Sequence, residues 1–152
     1  MTSERTLLVT RAQLHAMIDG RRFDDRGVME RALLALSWHG YFRASELADL
    51  DVDNVIVHPG EQLFIVLRNK RTRLDFSDGL YSASHLLLLW LAQAGNTSGP
   101  LFHSFRRSDR RQAPATLHRL TTDAIRLFFV RAAAEIGVVL QTRELVALPP
   151  LT

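Results

Sequence analysis

The stretch Val52-Asp53-Asn54-Val55-Ile56-Val57-His58-Pro59-Gly60-Glu61-Gln62-Leu63-Phe64-Ile65-Val66-Leu67 decides the fold class, because the hydrophobic period changes there. Two β-branched, apolar runs, 52–57 and 62–67, flank His58-Pro59-Gly60-Glu61, the pattern of a β-hairpin. Leu74 and Phe76 follow a basic turn and fit a third strand. Upstream, apolar residues recur at helical spacing instead. Thr10 and Gln13 carry a capping-box signature, opening a helix that runs to Asp19, buries Leu14, Met17 and Ile18, and ends at Gly20. A second helix, 25–38, is apolar on most sides through Val28, Ala32, Leu33, Ala35 and Leu36, so it is expected at the centre of the core. His39-Gly40 is expected to break it, and a short third helix fits 43–50. Downstream, 82–94 reads as a helix with Leu86, Leu89 and Trp90 on one face and Gly95 as its stop. A last helix, 122–136, carries the stripe Ile125, Phe128, Phe129, Ala132, Ala133 and Ile136. Helices and strands are segregated along the chain. That predicts an α+β class, mostly helical, with a small three-stranded antiparallel sheet.

The chain has 152 residues, about one domain's worth at ~100–200 residues each. Its patterned part is 1–138, and 139–152, with Pro149-Pro150, is expected to be an irregular C-terminal tail. Cysteine is absent, which excludes disulfides, thiolate catalysis and thiolate zinc sites. The histidines have no metal-site spacing, and no phosphate-cradling glycine loop occurs, so neither a metal nor a cofactor is expected. The longest apolar run, 86–92, is far short of the ~20 residues that span a bilayer. The N-terminal run Leu7-Leu8-Val9 is too short for a signal peptide, so the expectation is a cytoplasmic protein with no membrane partner.

Of 19 basic residues, 18 are arginine and one is lysine, Lys70. Residues 61–111 hold 8 bases against 4 acids, whereas 1–60 hold 7 against 9. The excess falls in two clusters: Arg68, Lys70, Arg71 and Arg73, then Arg106, Arg107, Arg110 and Arg111. Local clusters on a mild net charge of +3 fit a focused anion-binding face, and they also fit merely solvated arginine-rich loops. The second cluster lies in a long loop, 95–115, of a length that is usually functional or mobile.

The run Arg31-Ala32-Leu33-Leu34-Ala35-Leu36, then Gly40-Tyr41-Phe42-Arg43-Ala44-Ser45-Glu46-Leu47, then Leu50-Asp51-Val52-Asp53-Asn54-Val55, resembles the opening of the catalytic domain of tyrosine recombinases, the phage integrases. Gly99-Pro100-Leu101-Phe102 and the 120–137 segment resemble a later part of that domain. The resemblance covers about residues 10–138 and implies an incomplete recombinase catalytic domain that binds duplex DNA and serves DNA recombination or integration. By it, Arg43 matches the first catalytic arginine. A guanidinium there can donate two hydrogen bonds to the non-bridging oxygens of a phosphodiester under attack. Glu46, one turn on, would hold Arg43 in place. Lys70 matches the lysine that protonates the leaving 5′ oxygen from the turn after the second strand. Arginine is a poor substitute there because it does not release its proton. The alignment is loose by two positions, so Arg68 is an alternative for that turn. Arg68, Arg71, Arg73 and the 106–111 arginines complete the expected DNA-binding set.

The resemblance stops before the family's His-x-x-Arg box and nucleophilic tyrosine. The tyrosines are Tyr41 and Tyr81, and neither matches the nucleophile's place. Strand cleavage needs a phenol in line with phosphorus, so the chain is expected to be catalytically incomplete on its own. His103-Ser104-Phe105-Arg106 is literally His-x-x-Arg but precedes the last helix, and reads as coincidence. The alternative to DNA binding is a protein–protein or self-association module. Loss of the family's C-terminal helices would bare the 86–90 and 128–129 stretches, to be covered by a second copy.

Overall fold

The computed structural model describes residues 6–58, 62–105 and 117–147. Its longer helices begin where short polar side chains can take up free backbone N–H groups. Thr10 Oγ1 accepts from the Gln13 amide at 3.1 Å while Gln13 Oε1 accepts from the Thr10 amide at 2.9 Å, opening α1, Arg11–Asp19. Asp24 does the same for α2, Asp25–Gly40, through the Gly27 amide at 2.8 Å. A six-residue helix α3, Ala44–Asp49, leads through a 3-10 turn into strands β1, Val55–His58, β2, Gln62–Leu67, and β3, Lys70–Leu74. Ser82 caps α4, Ala83–Ala94, and Thr121 caps α5, Thr122–Glu135. The class is α+β, with one antiparallel sheet in the order β1-β2-β3.

Helix α2 is the centre of the core, buried along Met29, Ala32, Leu33, Leu34, Ala35, Leu36 and Trp38. Helix α4 packs on it, and α1 covers another side. Trp38 Nε1 donates to the Val9 carbonyl at 2.6 Å, and Trp90 Nε1 to the Leu101 carbonyl at 2.8 Å, so both indoles are buried with their donors satisfied.

Several expectations need correction. His39 and Gly40 continue α2 rather than breaking it, and the helix ends at Tyr41, which adopts the left-handed conformation, φ 58°. Residues 52–54 form a 3-10 turn, so β1 starts at Val55. The third strand is Lys70–Leu74 and excludes Phe76. Leu89 is exposed, and Leu87 takes its place beside Leu86 and Trp90 in the core. Of the stretches expected to be bared, Leu86, Leu87, Trp90, Phe128 and Phe129 are buried, whereas Leu88 and Leu89 are exposed. The tail is irregular through residue 147, yet it is packed. Leu140, Glu144, Leu145 and Val146 are buried, and the Ala147 and Leu8 amides bond the Thr6 and Leu145 carbonyls at 2.7 and 3.0 Å.

A carboxylate ties α1, α2 and the loop before α4. Asp78 Oδ2 accepts from His15 Nε2 at 2.8 Å, and His39 Nε2 stands 3.2 Å from the same oxygen. Burial lowers the His39 pKa below its usual 6.5, against the pull of Asp78. Burial raises the Asp78 carboxyl, but the His15 hydrogen bond and the charges of His15, His39 and Arg11 outweigh it and leave it below the usual 3.8. Hydrogen bonds from Ser77 hold Asp75 below its usual value too. All three groups bind protons more weakly when folded than unfolded, so stability is lost as pH falls. The denaturation midpoint is expected to be flat above about pH 7, to fall as pH drops below the free-histidine range of about 6.5, and to fall again below about 4. His39→Gln should remove the first step. A midpoint that rises on acidification through pH 6 would contradict the assignment.

Candidate functional site

Gly40-Tyr41-Phe42-Arg43 builds the site. A Cβ on Gly40 would lie 2.7 Å from the Phe42 ring, so glycine lets that ring fold back over the end of α2. Phe42 is buried there, and Arg43, in extended conformation, becomes the N-cap residue of α3. Glu46 Oε1 accepts from the backbone amide of Arg43 at 2.9 Å. Glu46 thus fixes the main chain at Arg43, where a grip on the guanidinium was expected. The Arg43 Nε is buried and has no hydrogen-bond partner among the described residues. A buried guanidinium N–H without an acceptor is uncommon in a folded protein and marks this position, although the atom itself is closed to solvent.

Lys70 comes to the same place from the hairpin. Its Nζ lies 5.5 Å from the centroid of the Phe42 ring, the side chain next to Arg43. The β2–β3 turn is Arg68-Asn69, with Leu67 opposite Lys70, so Lys70 is the first residue of β3 and Arg68 holds the turn tip. Arg68 is tethered, however: its Nη2 donates to Asp49 Oδ2 at the end of α3, which ties the hairpin to that helix. Arg68 also has φ 57°, a left-handed conformation that costs a side-chain-bearing residue about 1–2 kcal/mol. Arg68→Gly is therefore expected to raise stability by about 1 kcal/mol in chemical denaturation, since the exposed ion pair it removes contributes less. A destabilised variant would show that the tether to Asp49 outweighs the strain.

The sheet register divides the first basic cluster. Residues opposite one another share a face, and faces alternate along a strand. Lys70 stands opposite Leu67, on the face that buries Leu63, Ile65 and Leu74 against the helices. Arg71 and Arg73 face the other way, opposite or beside Phe64 and Val66. Arg71 lies 4.1 Å above the Phe64 ring and meets His58 Nε2 at 3.1 Å. So Lys70 lies by Phe42, the residue before Arg43, Arg68 lies by Asp49 at the far end of α3, and Arg71 and Arg73 stand on the outer face of the sheet. Arg106, Arg107, Arg110 and Arg111 lie outside the described residues.

Two charged groups that the sequence did not single out hold α3 at both ends. Glu144, only 4% exposed, accepts from the Ala44 amide through Oε2 at 2.9 Å and from Arg126 Nε through Oε1 at 3.1 Å. Arg119 donates to the carbonyls of Ala48 and Leu50, each at 3.0 Å, and pairs with Asp51. A six-residue helix is too short to persist alone, and these groups satisfy its terminal amide and carbonyl groups. His103 is 2% exposed and packed against Trp90 and Phe105, a ring in the core rather than a histidine open to substrate. Tyr81 stacks on His15 at 3.9 Å and donates its hydroxyl to Asp19, so its phenol is engaged on α1.

No known protein-family profile matches this chain, and no curated protein sequence matches it either. Among the described residues no group of three or more His, Asp or Glu side chains could hold a metal ion, and no helix is long and apolar enough to cross a membrane.

Proposed function

We propose that the chain binds duplex DNA by its phosphates on the face that carries Arg43 and Lys70, in the manner that the resemblance to tyrosine recombinases implies. The observation that carries this reading is the buried Arg43 Nε without an acceptor, with the Lys70 ammonium against the neighbouring Phe42. The half-buried Arg43 side chain turns outward to give a phosphodiester oxygen to its unsatisfied N–H, and Lys70 adds a second positive charge. Such contacts set position on the duplex and carry little sequence information, so weak base preference is expected. The reading is of a binder. The chain's tyrosines are Tyr41 and the engaged Tyr81, and no strand cleavage by this chain alone is proposed.

Fluorescence anisotropy with a labelled duplex across a salt series tests it. Arg43, Lys70 and Arg68 as three phosphate contacts give a log K against log salt slope of about −2.7, and each further arginine from the second cluster steepens it by about 0.9. Absence of binding at low salt would reject DNA as the partner and favour the self-association module.

A further inference from the structure

A second basic site lies at the other end of α2. Arg26 is near the N-terminus of that helix and Gly40 is its last residue, so about 21 Å separate this region from the Arg43 end at 1.5 Å per residue. Two cavities of about 170 and 280 Å³ open there, and they share Arg26, Glu30, Phe128 and Arg131 as walls, which makes them one groove. Its two ends differ in chemistry. One end adds Arg21, Arg22 and Glu135, and the other adds Met29, Leu33, Phe105 and Leu120 together with His103 and Ser104.

The arginines divide into spent and free. Arg21 is buried, donates to the Met17 carbonyl at 3.0 Å, pairs with Glu135 and lies 5.3 Å above the Phe128 ring. It is structural. Arg22 pairs with Asp24 at 3.1 Å. Among the described residues, Arg26 sits 5.5 Å over the Phe105 ring with no carboxylate in ion-pair range, and Arg131 has no hydrogen bond or ion pair. Glu30 is the carboxylate between them; it pairs with Arg21 at 3.7 Å, and burial raises its pKa against the pull of the Arg21, Arg26 and Arg131 charges. Two arginines without a close carboxylate partner among the described residues thus line the junction of a charged end and a largely apolar end.

We propose that this groove binds a small organic anion with a flat apolar body, of the aryl phosphate class. The anionic group is held by Arg26 and Arg131, and the ring lies on Phe105, Leu120 and Phe128. Guanidinium groups take a phosphate by paired hydrogen bonds, and the aromatic floor takes the body. The site is independent of the DNA-binding face.

Titration calorimetry with 2-naphthyl phosphate, inorganic phosphate and 2-naphthol tests it. Expected is saturable one-to-one binding of 2-naphthyl phosphate, about tenfold or more tighter than either fragment. Arg26→Ala and Arg131→Ala, both at exposed residues that can be lost without unfolding the chain, should each weaken it by about tenfold, the effect of losing one charged hydrogen bond. Glu30→Gln should tighten it by removing a negative charge from the groove wall, and Arg43→Ala should leave it unchanged. No saturable binding at millimolar 2-naphthyl phosphate would overturn the proposal. So would inorganic phosphate binding as tightly, or affinity insensitive to Arg26→Ala and Arg131→Ala, or loss of affinity in Arg43→Ala.

Discussion

Glu144→Ala is expected to lower folding stability by about 3 kcal/mol and the melting temperature by roughly 6–12 °C. The carboxylate is buried and bonded on both oxygens, to the Ala44 amide and to Arg126. Truncation leaves a buried amide without a partner and removes a charge-assisted bond. Each such loss is worth about 1–3 kcal/mol. Glu144→Gln keeps one acceptor and should lose less. Because Ala44 is the first residue of α3, the loss also loosens the helix start where Arg43 sits. DNA affinity measured well below the melting point should therefore fall as well, although Glu144 carries the wrong charge to touch a phosphate. Thermal denaturation followed by circular dichroism checks the first part. An unchanged melting temperature would show that α3 holds without this cap.

Arg43→Ala should weaken duplex binding by about 1–3 kcal/mol, the range for a charge-assisted hydrogen bond. Arg43→Lys should not restore it, because a point charge cannot replace a planar fork inserted at a fixed angle. Lys70→Ala should cost less and act mainly by flattening the salt slope by about 0.9. Arg73 is the internal comparison. It is three residues from Lys70 in sequence but on the opposite face of the sheet, so Arg73→Ala should leave affinity nearly unchanged. The order Arg43, Lys70, Arg73 is the measurement to make, at one salt concentration and then across a series. If Arg71→Ala and Arg73→Ala dominate while Arg43→Ala is silent, the outer face of the sheet is the DNA surface and the proposed site is wrong.

Much of the frame is legible in the residues. Thr10 with Gln13, Ser82 before α4 and Thr121 before α5 mark helix starts because a cap is a contact between near neighbours in sequence. The stripe Ile125, Phe128, Phe129, Ala132 and Ala133 is buried as its spacing predicts. Arg43 and Lys70 could be picked out only through the resemblance and the singularity of the lysine. The seat of Lys70 on Phe42, beside Arg43 in the chain, depends on Gly40, whose open Cα position admits the ring. The local sequence pattern ends α2 two residues early, at residue 38, because it does not contain these long-range contacts. His39-Gly40 reads as a breaker locally, yet His39 is held beside Asp78, and Gly40 stays helical beneath Phe42.

By itself, then, the sequence determined the kind and order of the elements, the central position of α2 and the places where cations concentrate. Helical and strand periods, caps and turns are set by residues a few positions apart, so they survive without knowledge of the rest of the chain. The tertiary structure alone decided which cations share a face and what anchors the helix that bears Arg43. Four basic residues within 68–73 look like one cluster on paper, and the pairing of Leu67 with Lys70 and of Phe64 with Arg73 sends them to opposite sides of the sheet. Glu144 reaches Ala44 across 100 residues, and Arg119 reaches Ala48 across 71. Such partners are chosen by packing, because a buried charge must find its counterpart wherever the fold brings one, and no local pattern announces where that will be.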